Sequence, residues 1–417
     1  MNNTRLADTP ARRCTAVTGP LMAVMVLLFA VNSSNSADRH ATAMSRILKL
    51  VDKGAVVLCD EQGKPLISHN PDKLLVPASI VKIVTAQGAL DVLGEDYRFK
   101  TEFFVDSGNT LSIKGWGDPY LISEEIDTIA KRLRAKGLAN IRELQLDRSA
   151  FVPAITIPGV SKTLNPYDAI NGALAVNFNT INVRRDARGT VYSGEPATPL
   201  TPLARTKAAA ISPGAGGRIN LTRDESECLQ YAGELFGALL CTTDVAIRVG
   251  EINPRKNRRW RLIHTHENTR DLSVVVKGLM KYSNNFIANQ LFLTVGATKL
   301  GYPATLEKGV KFYREYMTNE LGLTPGKVTL VEGSGISREN RINATTMIKV
   351  LEKFNERAEL LPAKGTALVK SGTLNGVYNY AGYIKTSKGL RPFVIMLNQP
   401  QNTRDSILKL LTEYGET

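Results

Sequence analysis

Histidine is scarce in this chain. Its 417 residues contain four: His40, His69, His264 and His266. None lies in a Gly-x-Ser-x-Gly elbow or a His-Glu-x-x-His helix, which argues against a Ser-His-Asp hydrolase and a zinc peptidase. His264-Thr265-His266 is the one close pair, and it reads more simply as a strand or loop end than as a metal site. Cysteine is equally sparse, with Cys14, Cys59, Cys228 and Cys241 and no metal-ligand spacing. No internal repeat or low-complexity tract is present. A hydrophobic share of 43% with 22% charged residues excludes a disordered chain.

The charge is one-sided. There are 53 Lys and Arg against 39 Asp and Glu, a net +14. This favours a polyanionic neighbourhood such as an anionic wall polymer or lipid headgroups, with peripheral membrane contact. No zinc-finger spacing or RNA-recognition signature accompanies it, so nucleic acid is not an expected partner. Arg5, Arg12 and Arg13 precede an apolar run, Leu21–Val31, and then small polar residues to Ala37. The run is too short to span a bilayer comfortably and has the length of an export-signal core. Residues 1–37 are therefore expected to be a signal peptide and the mature protein periplasmic or otherwise extracytoplasmic; an uncleaved anchor is the alternative. Export implies an oxidising compartment. Cys228 and Cys241 are then candidates to pair, with Cys59 a buried thiol; three free thiols is the other option.

Met44–Val51 reads as a short amphipathic helix. Ala55–Leu58 and Leu66–Ser68 read as a hairpin, and a helix entered through Val76-Pro77-Ala78-Ser79 runs to Leu93 before Gly94. From about residue 96 the pattern shifts to short alternating runs and glycine-rich turns, with a helix at Ser123–Lys136 and a strand at Glu143–Asp147. Residues 152–217 read as loops with short strands, and Asn253–Arg261 as an exposed basic connector. Leu272–Tyr282, Phe286–Val295, Thr305–Leu321 and Ala344–Phe354 read as helices. Strands follow at Ala367–Lys370, Tyr378–Lys385 and Arg391–Leu397, and Thr403–Tyr414 closes the chain as a helix. This order predicts an α+β fold, with helices layered on an antiparallel sheet. One domain (38–95 and 263–417) is assembled from both chain ends, with a β-rich accessory domain inserted at 96–262.

Three short motifs carry chemistry. Ser79-Ile80-Val81-Lys82 puts a hydroxyl and an amine one helical turn apart. Serine needs a neighbouring base to become a nucleophile, and a lysine held neutral by burial supplies one. Ser79 is thus the candidate nucleophile and Lys82 its base. The Ser79 N–H at a helix start suits a developing oxyanion. In Ser283-Asn284-Asn285, the Ser283 hydroxyl is placed to relay a proton and the Asn285 amide to hold a substrate carbonyl. In Lys370-Ser371-Gly372-Thr373, Lys370 is the second cation, which depresses Lys82 and attracts a substrate carboxylate. Gly372 lets the strand approach the ligand, and the Thr373 N–H is the second oxyanion donor. Each motif alone also fits a bland structural role: an N-capping serine, a Ser-Asn turn, an edge strand entering a turn. Their joint occurrence in this order points to an acyl transferase of the penicillin-recognising kind.

On these motifs the chain resembles the low-molecular-mass class C penicillin-binding proteins, the D-alanyl-D-alanine carboxypeptidase/endopeptidase family, over most of residues 45–415. Gly115-Trp116-Gly117-Asp118-Pro119-Tyr120-Leu121, Ala175-Val176-Asn177-Phe178-Asn179-Thr180, Gly333-Ser334-Gly335-Ile336-Ser337-Arg338 and the block Lys370–Tyr383 strengthen the likeness. Ser79 and Ser283 lie 204 residues apart, a far longer gap than in class A β-lactamases, and no Glu-x-x-Leu-Asn deacylation motif is found. The resemblance implies a penicillin-binding/β-lactamase-like transpeptidase fold and serine-type cleavage of D-Ala-D-Ala peptides in peptidoglycan. It also implies acylation by β-lactam antibiotics and no cofactor or metal. By likeness, Arg338 is expected to meet a substrate carboxylate, and Asp147 or Phe151 the peptide stem. Two departures stand out: Ser371 replaces the usual threonine, and residues 266–271 read HENTRD where a Ser-Pro stretch is usual. Together with an insertion shorter than typical, the second motivates the alternative of a peptidoglycan-binding protein without turnover. An esterase or β-lactamase using the same serine fits the spacing less well.

Overall fold

A computed structural model describes residues 38–415 apart from 162, 223, 243–244, 253–259 and 324–325. The expected leader, with Cys14, and most of the basic connector lie outside the described residues. Residues 38–48 form a helix, starting earlier than the expected Met44–Val51.

From Leu50 onward the main sheet has six antiparallel strands from both chain ends. Their order is Ala363–Lys364, Ala367–Leu374, Val377–Thr386, Gly389–Leu397, Gly54–Cys59 and Pro65–His69. The N-terminal strand adds directly to the C-terminal hairpins, with Val57 opposite Val394. The third motif was expected to leave its strand after Lys370. Instead the strand continues through Ser371, Gly372 and Thr373 to Leu374, and the two-residue Asn375-Gly376 loop returns the chain.

Helix Lys82–Leu93 spreads its apolar residues over more than one face, and Lys82 through Leu90 are buried. A helix apolar on more than one side must be enclosed. It packs against helices Leu272–Tyr282, Asn285–Leu300, Leu306–Leu321 and Ala344–Phe354, the last of which lies directly on the main sheet, in one continuous core that includes Ile83, Val84, Leu279, Phe292, Tyr313 and Met347. Polar side chains start all four of these helices, Thr305 accepting from the Lys308 N–H at the head of Leu306–Leu321. Asp271 accepts from the Val274 N–H, Asn284 from the Ile287 N–H and Asn343 from the Thr346 N–H. Asp271, Asn284 and Asn343 thereby satisfy N–H groups that the first helical turn leaves open. Between the first two helices Ser283 adopts the left-handed conformation, φ 53°. A single left-handed residue ends one helix, and Asn284 begins the next.

A second sheet is mixed. Its order is Arg261–Asp271, Arg98–Val105, Thr110–Gly115, Glu143–Asp147 and Ala246–Val249, with the last two pairings parallel. His264 and His266 lie within its long edge strand, and His266 is buried with Nε2 2.9 Å from Glu125 Oε2. Helices Ser123–Ala135 and Glu225–Leu239 cover the sheet around Phe103, Ile129, Leu146 and Phe236. The second helix was not expected. Gly233 and Gly237 weaken its helical signal by about 1 kcal/mol each relative to alanine, and burial of Cys228, Leu229, Tyr231, Leu235 and Phe236 stabilises it instead.

That helix also removes the candidate disulfide. Cys228 sits in its first turn and Cys241 just beyond its end, a separation of about 20 Å at about 1.5 Å per residue. Disulfide bonding requires Cα atoms within about 7 Å. Cys59, Cys228 and Cys241 are all free thiols, the first two buried.

Candidate active site

Ser79 sits in a single 3-10 turn, Ala78–Val81, that feeds helix Lys82–Leu93. In such a turn residues three apart eclipse one another. Ser79 and Lys82 therefore stack, and Lys82 Nζ lies 2.9 Å from Ser79 Oγ. The turn is held under strain. Ala78, a non-glycine residue, has φ 47°, a conformation that costs roughly 1–2 kcal/mol and survives only where surroundings impose it. The imposing group is Asn379. Its side-chain amide, fully buried, donates to the carbonyls of Val76 at 2.9 Å and Pro77 at 2.8 Å.

Two glycines press on the same turn from opposite sides of the chain. A Cβ on Gly372 would lie 2.7 Å from Pro77 O and 3.0 Å from Ser79 N; one on Gly335 would lie 2.0 Å from Ala78 O. Only a residue without a side chain fits at either place. The strand carrying the third motif and the loop Gly333–Arg338 thus flank the Ser79 turn directly.

Lys82 is 0% exposed and Lys370 1%. Lys82 Nζ meets Asn285 Oδ1 at 2.7 Å and the Ser334 carbonyl at 2.6 Å as well as Ser79. Burial drives its pKa well below the usual lysine value and the Lys370 charge adds to the fall, while Glu332 opposes it. A buried ammonium without an ionic partner is costly, so the neutral amine is favoured. Lys370 donates to Ser283 Oγ at 2.9 Å and to the Ser371 carbonyl at 2.9 Å. Burial, with the Arg404 charge, lowers its pKa to about 8. The more deeply desolvated Lys82 loses its proton first, leaving a neutral amine at Ser79 and a cation at Ser283.

Ser79, Ser283, Asn285, Ser371, Thr373 and Arg338 all line one cleft of about 880 Å³. Gly372 is buried behind it against the Ser79 turn. The exposed Arg338 donates to the Asn375 carbonyl at the cleft rim. Gly159, Ser161, Asn165, Tyr167 and Asp168 also line the cleft.

Asp147 and Phe151 do not reach this cleft. Asp147 is fully buried in the second sheet, paired with Lys114 Nζ at 3.0 Å and accepting from the backbone N–H groups of Ser149 and Ile252. A fully buried carboxylate with three donors on it is a structural ion pair, closed off from the cleft. Phe151 is buried against Ala150, Ala173, Leu293, Ala297 and Ala304, where it fills a core and meets no cleft surface.

Three residues around the site were missed from sequence. Asn379 had a readable signal: a two-residue loop at Asn375-Gly376 puts it directly opposite Gly372. Glu332 precedes a glycine-rich loop, whose N–H groups favour an anion. Arg404 had none. It reaches from the start of the last helix to donate to Thr373 Oγ1 at 2.7 Å and the Gly372 carbonyl at 3.2 Å, while lying over the Tyr380 ring.

The model of the D-Ala-D-Ala carboxypeptidase 3 (S13) family matches residues 41–215 and 213–363. A D-alanyl-D-alanine carboxypeptidase of an Actinomadura species is 26% identical over 498 aligned residues, covering 97% of this chain and 91% of that protein. The crystal structure of penicillin binding protein 4 (dacB) from Haemophilus influenzae matches with a TM-score of 0.71 at 20% identity, over 89% of this chain and 98% of that one. Its complex with a β-lactam matches with a TM-score of 0.66 at 18% identity over the same shares. The α+β architecture described above is thus that of a penicillin-binding protein. With most of its length matched, the chain belongs to the D-Ala-D-Ala carboxypeptidase 3 (S13) family.

Proposed function

We propose that this chain is a serine DD-peptidase that cleaves D-Ala-D-Ala and cross-link peptide bonds of peptidoglycan through an acyl-enzyme on Ser79. The observation that carries this reading is the 2.9 Å approach of a buried Lys82 amine to the Ser79 hydroxyl. Ser79 Oγ attacks the scissile carbonyl carbon and its proton passes to Lys82 Nζ. A positioned base of this kind contributes about 10²–10⁴-fold. The N–H groups of Ser79 and Thr373 stabilise the oxyanion, at about 10²–10³-fold per donor. The C–N bond then breaks, and the proton taken up by Lys82 passes through Ser283 Oγ, which Lys370 holds in place, to the leaving amine, so that Lys82 is neutral again. Asn285, anchored on Lys82, holds the acyl-side carbonyl. Water attacks the ester, its proton returns through Lys82, and Ser79 is released as the free hydroxyl.

Arg338, Thr373 and Ser371 give the cleft a cationic, hydroxyl-lined end suited to a terminal carboxylate. β-Lactams, whose acyl carbon and carboxylate mimic the substrate, are expected to acylate the same serine. The basic leader and apolar core of residues 1–37 support an extracytoplasmic location, and the net charge supports peripheral contact with anionic wall or membrane. We assign the segment from residue 96 to the end of strand Arg261–Asp271, nine residues beyond the expected boundary at 262, to the accessory domain, and the two flanking stretches to the catalytic one.

A fluorescent penicillin tests the assignment. The wild-type chain is expected to label covalently and Ser79→Ala to give no label; a Ser79→Ala protein that labels at the wild-type rate defeats it. A digest of purified peptidoglycan read by mass spectrometry distinguishes D-alanine release from cross-link cleavage. Stem-peptide binding with neither product selects the non-catalytic alternative.

A further inference from the structure

One buried carboxylate beside this site has no part in the steps above. Glu332 is 0% exposed. It accepts five hydrogen bonds: from the backbone N–H groups of Ser334 at 2.7 Å, Gly335 at 2.7 Å and Ser337 at 3.3 Å, from the Ser334 hydroxyl at 2.6 Å and from the Asn340 amide at 2.6 Å. All five donors are neutral. A carboxylate is an acceptor only, so it matches this set; an amide would turn its own N–H groups against them. Burying an anion without a contacting cation costs several kcal/mol unless hydrogen bonds satisfy it.

The loop it organises does two things. Gly335, Ile336, Ser337 and Arg338 form one wall of the cleft. The Ser334 carbonyl accepts from Lys82 Nζ at 2.6 Å. The loop is anchored independently, through Gly333 N–H to Asn289 Oδ1 at 2.7 Å and Thr85 Oγ1 to the Gly333 carbonyl at 2.6 Å. The carboxylate therefore governs the turn after Gly333, where the lysine is met.

We propose that Glu332 is a positioning residue for the Ser79–Lys82 pair: its hydrogen bonds shape the loop that presents the Ser334 carbonyl to Lys82 Nζ. The proposal rests on Lys82 being the base for Ser79. A general base must hold the proton it takes, and a fully buried amine beside Lys370 is otherwise a poor acceptor. The groups facing Lys82 are Ser79 on its own turn, Asn285 on the following helix, Ser334 and Glu332 on the loop, and Lys370 on the strand, itself influenced by Arg404. Glu332 is the only negative charge in this set.

The test is the pH dependence of the acylation rate of the full chain by a fluorescent penicillin, with melting temperature recorded alongside. In Glu332→Gln the loss of charge is expected to move the acidic limb about one pH unit down, the order for a unit charge a few ångströms away. The maximal rate is expected to fall about 10–100-fold as the loop shifts. A folded Glu332→Gln protein with an unmoved limb and a rate within about threefold of wild type overturns the proposal. Should that variant fail to fold, Glu332→Asp decides: it keeps the charge on a shorter arm, so the limb should stay in place while the rate falls, and a native rate at every pH overturns the positioning role. Lys82→Met separates the two levels. Native acylation without that amine refutes the base assignment itself, whereas lost acylation in Lys82→Met with native behaviour in Glu332→Gln refutes only the role of Glu332.

Discussion

Replacing Gly372 by alanine is expected to slow acylation without unfolding the protein. The added Cβ would lie 2.7 Å from Pro77 O, 3.0 Å from Ser79 N and 3.1 Å from Ile80 N. All three are backbone atoms, so no rotamer relieves the contact. Ordinary separation is about 3.5 Å or more, and strand Ala367–Leu374 must retreat from the Ser79 turn by roughly 0.5–0.8 Å. Overpacking of this size costs about 1–3 kcal/mol, which in a chain of this length lowers Tm by only about 1–3 °C. The rate is more sensitive, because a misplacement near 1 Å costs about 100-fold. Stopped-flow acylation by a fluorescent penicillin should therefore slow about 10–100-fold in a protein that still melts cooperatively. Gly172→Ala serves as the control, since a Cβ there meets nothing within 4 Å. A folded Gly372→Ala protein that acylates within about threefold of wild type refutes the claim that this strand closes on Ser79.

The acylation rate should follow a bell in pH. It rises as Lys82, its pKa depressed by burial and by Lys370, gives up its proton, and falls as Lys370 loses its own near about 8. A rate still climbing at about pH 10 contradicts this division of roles. Asp147→Ala should destabilise the chain by about 3 kcal/mol in urea unfolding, because it strands Lys114 and two backbone N–H groups. KM for a pentapeptide substrate should not change, and a raised KM at native stability would return Asp147 to the substrate's path.

Much of the site was legible because its signals are local. Ser79 and Lys82 meet through the geometry of one turn, Ser283 is placed by a helix ending and the next beginning, and strand and helix periodicities located the elements that carry all three motifs. The expected strand ends at Lys370 and the missed helix Glu225–Leu239 share one cause. Glycines weaken a local pattern, and it is tertiary burial that extends the element through them. Asp147 and Phe151 had the residue types a stem-binding site wants, but type says nothing about which face of a sheet a side chain occupies once Lys114 or Leu293 claims it.

By itself the sequence determined the reactive groups, their order and the α+β elements that bear them, since these follow from residue chemistry and short-range spacing. Only the tertiary structure decided that Gly372 and Gly335 close on one strained turn, that Asn379 braces it, and that two lysines are desolvated together. Those facts depend on pairings between residues hundreds of positions apart, such as Asn379 with Pro77 and Ser334 with Lys82. Proton affinity in a buried site depends on every charge and dipole packed around it, which no stretch of sequence contains.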